Sequence, residues 1–106
     1  MDKMISSTVK QFVERATQQQ TGIVSAFIFG SYAKNKQHAD SDIDVALVID
    51  NLADTDRFDT QVRLMLLASQ IDSRIEPHPI SKLDLISDNP FMMEILRTGI
   101  KLKLEQ

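Results

Sequence analysis

Cysteine is absent from the 106-residue chain, which excludes disulfides, zinc–thiolate centres and thiol nucleophiles. A long apolar run is absent too. Nothing approaches the roughly 18 residues that would suggest a membrane span, so no membrane partner is expected. The opening Met1-Asp2-Lys3-Met4 has no signal-peptide character, which leaves the cytoplasm as the default location. Basic excess is also missing, since 12 Lys and Arg stand against 15 Asp and Glu, a net charge of −3. That balance argues against sequence-independent nucleic-acid binding, which needs a basic surface. With 42 % hydrophobic and 25 % charged residues the composition is that of an ordinary globular protein. The length predicts a single domain over 1–106, with a radius of gyration of about 13 Å and no separate substrate domain. There is no repeat, low-complexity tract or linker.

Hydrophobic spacing supplies the elements. Ile5, Val9, Phe12, Val13 and Ala16 recur at helical intervals and predict an amphipathic helix over about 3–19. Residues 23–29 read as a buried strand, and 31–36 as a short helix whose first amides face an anion. The run 43–49 is almost wholly apolar, as suits a central strand covered on both faces. An acidic turn follows over 50–56. A second helix is expected over 57–72, with Phe58, Val62, Met65, Leu66 and Ser69 turned inward.

Two of the three prolines then become informative. In Arg74-Ile75-Glu76-Pro77-His78-Pro79-Ile80, Glu76 and His78 each precede a proline, which favours extended backbone. Pro77 and Pro79 share parity, so both missing donors fall on one side, and the segment reads as an edge strand paired on the other. Glu76, His78 and Ile80 share a face opposite Ile75. Ser81 begins a capping box, and Asn89-Pro90 starts a helix that Gly99 ends. Phe91, Met92, Met93 and Leu96 read as that helix's core face, with a partner surface as the other option. Ile100 to Leu104 alternates as a half-exposed last strand.

The chemistry is concentrated between the two apolar strands. Val24 to Phe29 leads into Gly30-Ser31, and ten residues later Asp42-Ile43-Asp44 opens the run Val45 to Ile49. Side chains two apart on a strand share a face about 7 Å apart, so Asp42 and Asp44 are expected to project together. Adjacent carboxylates repel, and a divalent cation, Mg²⁺ by its liking for hard oxygen ligands, offsets that. Gly30 lets a backbone approach a phosphate closely, and Ser31 offers a hydroxyl and an amide. Taken singly, Gly30-Ser31 is also a plain strand-to-helix turn and Asp42 a helix cap; the spacing and the flanking strands favour the joint reading. Glu76 joins the pair if its strand lies beside theirs. Asp72 is the substitute acid, at a helix end that points to solvent. His78 is expected to pack beside the site without ligating, and Tyr32 either stacks on a base or fills the core.

Gly-Ser, ten residues, Asp-x-Asp resembles the signature of the nucleotidyltransferase superfamily that contains the DNA polymerase β palm. The match is closest to its minimal nucleotidyltransferases. Ser41 fits that pattern; Lys34-Asn35 departs from the usual Arg-Gly, keeping the charge and a residue that tolerates left-handed backbone. The resemblance implies an α/β fold with a small mixed four-stranded sheet and flanking helices. It implies ATP as substrate, with Gly30, Ser31 and Lys34 on the nucleotide. Asp42, Asp44 and Glu76 would hold one or two Mg²⁺ in an attack on the α-phosphate that releases pyrophosphate. Glu76 would assist deprotonation of the acceptor. Small members of this kind resemble antitoxins that transfer AMP to a tyrosine of a HEPN-domain toxin. A small-molecule acceptor such as an aminoglycoside and a non-catalytic binding antitoxin are the alternatives, and homo- or hetero-oligomers are compatible with each.

Overall fold

Two apolar strands, β1 (Ile23–Phe29) and β2 (Ile43–Ile49), pair antiparallel at the centre of a four-stranded sheet. To the outer side of β2, β3 (Ile75–Ser81) adds in parallel, and β4 (Ile100–Leu102) adds antiparallel to β1. The order is β3-β2-β1-β4, so β3 lies at an edge as its prolines require. The computed structural model describes residues 3–86 and 88–104; Met1 and Asp2, read above for a leader, lie outside them, as do Ser87 and the last two residues. The Cα radius of gyration is 12.9 Å.

Strand alternation divides the core in two. Ile43, Val45 and Leu47 pack against α1 (Lys3–Gln19) and α2 (Arg57–Ser69). Ala46 and Val48 point the other way, into a smaller cluster with Phe27, Phe29, Ile80 and the Met92 and Ile95 side chains of α4 (Pro90–Thr98). Six of the seven β2 residues are buried, and Asp44 is the exception. Burying each such Val, Leu or Ile contributes about 1.5–3 kcal/mol. Asp44 therefore stands at the end of a rigid strand, with the parity of Ala46 and Val48. Ser81 caps α3 (Lys82–Leu85) by accepting from the Leu83 amide, and Asn89 caps α4 by accepting from that of Phe91. Gly99 follows α4 as its C-cap.

Several expectations need correction. Residues 31–36 form successive turns, with the Lys34 amide on the Gly30 carbonyl and that of Lys36 on Ser31, and not a helix. Asn35 adopts φ 56°, the left-handed backbone that asparagine tolerates. The second helix stops at Ser69, short of Asp72, and the last strand stops at Leu102. On α4, Met92 is buried, whereas Phe91, Met93 and Leu96 are exposed.

The larger correction concerns the phase of α2. Thr60, Leu64, Leu67 and Ala68 are the buried residues, while Phe58, Val62, Met65 and Leu66 are exposed. Both sets follow the same i, i+4, i+7, i+8 spacing on opposite sides, so periodicity does not choose between them. Small Thr60 and Ala68 let the helix approach the sheet closely. Gln61 then reaches the outward carbonyl of Pro77 at 3.2 Å, satisfying an acceptor on the unpaired edge. Leu67→Ala is expected to cost about 2–4 kcal/mol in urea denaturation. Leu66→Ala should stay within about 0.5 kcal/mol. The reverse ranking would restore the other phase.

Candidate active site

Parallel pairing sets Asp44 directly opposite Glu76 and Ala46 opposite His78. Side chains two apart on β3 share a face, so Asp44, Glu76 and His78 converge on the α4 side of the sheet. All three are half-buried, and their ligand atoms lie within 4.8 Å of one another. His78 Nε2 is 3.1 Å from Asp44 Oδ1. The imidazole is steadied by Phe29, edge-on at 5.0 Å between centroids, and Phe29 in turn meets Phe91 at 5.4 Å.

Gly30 closes this cluster from the β1 side. Its φ of 74° is one that side chains rarely adopt, and a Cβ built there would lie 2.5 Å from Asp44 Oδ2. The turn calls for glycine, and any Cβ there would displace the neighbouring carboxylate. Ser31, half-buried, follows at the head of the turns. Buried Ser41 ties the loop ahead of Asp42, its hydroxyl accepting from the His38 amide at 2.9 Å while its own amide donates to the His38 carbonyl.

Asp42 sits apart. One residue ahead of β2, it is exposed and lies outside the 4.8 Å cluster. It shares with Glu76 a pocket of about 260 Å³ that Met65, Ser69, Ser73 and Arg74 also line. Glu76 is thus the carboxylate common to both groupings. Lys34 Nζ lies 2.6 Å from Glu94 on α4, and Arg97 bonds the same carboxylate at 3.0 Å. Those cations, Lys34 first, hold the Glu94 carboxyl below its usual range. Tyr32 is buried in the main core, which leaves its ring no role in base stacking.

Asp72 does not face solvent as expected. Its Oδ1 accepts from the amide and Nε of Arg74, and its Oδ2 from Nη2 at 2.8 Å. The turn so formed directs the chain into β3, with the Ile75 amide on the Asp72 carbonyl and that of Ile43 on Arg74. The side-chain bond to Arg74 is the main reason its carboxyl is held below the ordinary 3.8. A lowered carboxylate stabilises the fold above its unfolded pKa, and the contribution is lost as pH falls through the folded value. Urea denaturation should therefore show Asp72→Asn less stable than the parent at neutral pH, with the gap closing below about pH 4. A gap unchanged in strong acid would contradict this.

Two carboxylate oxygens and an imidazole nitrogen at this separation suit one divalent cation, so the residues present fit the metal that the motif implies. The imidazole was the member that spacing alone did not bring in; its i+2 parity with Glu76 was the available signal. A second groove, between α1 and β4, is lined by Glu14 among Lys10, Lys101 and Lys103 and opens on the opposite side of the sheet.

Residues 11–106 match the family described as "Polymerase beta, Nucleotidyltransferase". No curated protein matches the chain. Among solved structures, a Sulfolobus solfataricus protein provisionally assigned as a nucleotidyltransferase is similar at TM-score 0.63 and 18 % identity, over 90 % of this chain and 76 % of that one. A toxin–antitoxin complex with AMP-PNP is similar at TM-score 0.61 and 23 % identity, over 92 % and 74 %. So is a variant of the MntA–HpeT toxin–antitoxin with two aspartates changed to glutamate, at 0.61 and 19 %, over 92 % and 74 %. Identities this low establish the shared fold.

Proposed function

Because the chain belongs to the polymerase beta nucleotidyltransferase family, we propose that it moves AMP from ATP to a hydroxyl of a partner protein, most specifically a tyrosine of a HEPN-domain toxin. It would thereby serve as the antitoxin of the pair. The observation that carries the reading is the register of Asp44 on Glu76 beside the Gly30 turn, which brings two carboxylates together where the motif calls for a metal. The similarity to a toxin–antitoxin that holds AMP-PNP supports both the nucleotide and the partner. In the MntA–HpeT variant the two altered aspartates have the Asp-x-Asp spacing of Asp42 and Asp44.

Asp44 and Glu76, with Asp42 from the lip, would hold Mg²⁺ or a similar divalent ion, which neutralises phosphate charge and polarises the α-phosphate. The amides and hydroxyl of Ser31 and the open backbone of Gly30 would receive the triphosphate. Lys34 reaches a phosphate only by leaving Glu94, and Arg97 remains there to keep that carboxylate paired. The acceptor oxygen forms a bond to the α-phosphorus, the bond to the bridging oxygen breaks, and pyrophosphate departs. Glu76, which lines the same pocket as Asp42, would take the acceptor's proton.

Two observations favour a second reading. With Lys34 held by Glu94 and Asp42 outside the cluster, an antitoxin that neutralises by contact alone is also compatible. Incubation with a divalent metal and ATP labelled at the α-phosphate, together with the protein encoded beside this chain's gene, separates the two. Label on a partner tyrosine is the expected result. Neutralisation without label, unaltered in Asp44→Asn, would establish the contact mechanism instead.

A further inference from the structure

We propose that His78 is itself a metal ligand, and that the Asp44–Glu76–His78 cluster selects a first-row transition ion such as Mn²⁺ over Mg²⁺. The inference rests on the nucleotidyltransferase reading and goes beyond it, since an all-carboxylate set favours hard cations and gives no such preference. Two observations carry it. His78 Nε2 lies 3.1 Å from Asp44 Oδ1. Two ligands at about 2.1 Å from one ion, at a right angle, are themselves about 3.0 Å apart, so the spacing suits shared coordination as well as a hydrogen bond. The ligand atoms of Glu76 complete the set within 4.8 Å.

The ring is also fixed in place. Its strand, paired in register with β2, sets the Cα, and Phe29 packs edge-on against the imidazole at 5.0 Å. A side chain held only by solvent would have to be ordered at the moment of binding. Here that ordering is already done, and the nitrogen is kept on the same side of the sheet as both carboxylates. An imidazole adds little for Mg²⁺, which keeps oxygen ligands and water, but it raises affinity for ions that accept nitrogen.

The test uses the full chain without nucleotide and titrates Mn²⁺ and Mg²⁺ separately. Pulsed electron paramagnetic resonance of the Mn²⁺ form reads nitrogen coupling directly. The parent should show coupling from one imidazole and bind Mn²⁺ at least about tenfold tighter than Mg²⁺. His78→Gln keeps a donor for Asp44 but lacks the ring nitrogen. It should lose the coupling and bind Mn²⁺ about tenfold more weakly, with Mg²⁺ affinity changed by less than about twofold. The chain's other histidine, His38, is unaltered in that variant and serves as the internal control. Mn²⁺ bound in an Asp44-dependent way without nitrogen coupling would overturn the proposal while leaving the carboxylate site standing. Equal weakening of both ions in His78→Gln would reduce the residue to positioning Asp44, and likewise overturn it. Failure of the parent to bind either ion, or binding indifferent to Asp44→Asn, would remove the cluster and the nucleotidyltransferase site together.

Discussion

Asp44→Asn should lower nucleotidyl transfer by about a thousandfold, equivalent to about 4 kcal/mol of transition-state stabilisation, without unfolding the protein. The change keeps the shape of the side chain and removes one charge. Asp44 faces Glu76 across a parallel pair, so the folded state loses a repulsion there, which offsets a weaker bond to His78 Nε2, whose partner at 3.1 Å becomes a neutral amide oxygen. Thermal midpoints of the parent and variant should therefore agree within a few degrees, or favour the variant. Transfer depends on the lost charge, because a neutral amide is a poor ligand for a hard divalent cation. Asp59→Asn, on the exposed side of α2, provides the control and should leave the rate unchanged. A comparable loss in Asp59→Asn would mean that general acidity matters, and not this carboxylate.

Gly30→Ala should damage both stability and transfer. At φ 74° an alanine costs about 1 kcal/mol in backbone strain. Its Cβ would also fall 2.5 Å from Asp44 Oδ2, a separation that real contacts do not reach. Asp44 is anchored at the end of a buried strand, so relief comes by rotating its carboxylate away from Glu76 and His78. We expect a loss of about 2 kcal/mol in denaturation and about a hundredfold in rate. Gly22→Ala separates the two effects. Gly22 has φ 88°, and its Cβ would meet the Asp50 carbonyl at 2.9 Å, at the other end of the β1–β2 pair. That variant should lose similar stability yet keep the parent's rate per folded molecule. Equal rate losses in both would trace the Gly30 effect to folding alone.

How much of this was legible in the sequence depended on which physical constraint was at work. The hydrophobic run after Asp44 and the shared parity of Pro77 and Pro79 each admit one arrangement, a covered central strand and a strand paired on one side, and the sheet has both. Glu76 opposite Asp44 followed from placing those strands together. The phase of α2 was not legible, because two stripes of equal period compete and the larger side chains face outward, leaving small Thr60 and Ala68 against the sheet. That Asp42 lies outside the cluster of Asp44, Glu76 and His78 was not legible, because its two-residue spacing from Asp44 promises a shared face. The pairing of Lys34 with Glu94 joins residues far apart in the chain, and no local pattern announces it. His78 was readable as a neighbour of the site; its approach to Asp44 needed the register of both strands.

Calorimetry of a non-hydrolysable ATP analogue, with and without divalent metal, bears most directly on the reading of these residues as a metal-dependent nucleotide site. Binding that appears only when metal is added, and is abolished in Asp44→Asn, is the result the carboxylate pair and the Gly30 turn call for. Uptake of the same strength in the presence of a chelator, or unaffected by that substitution, would contradict it.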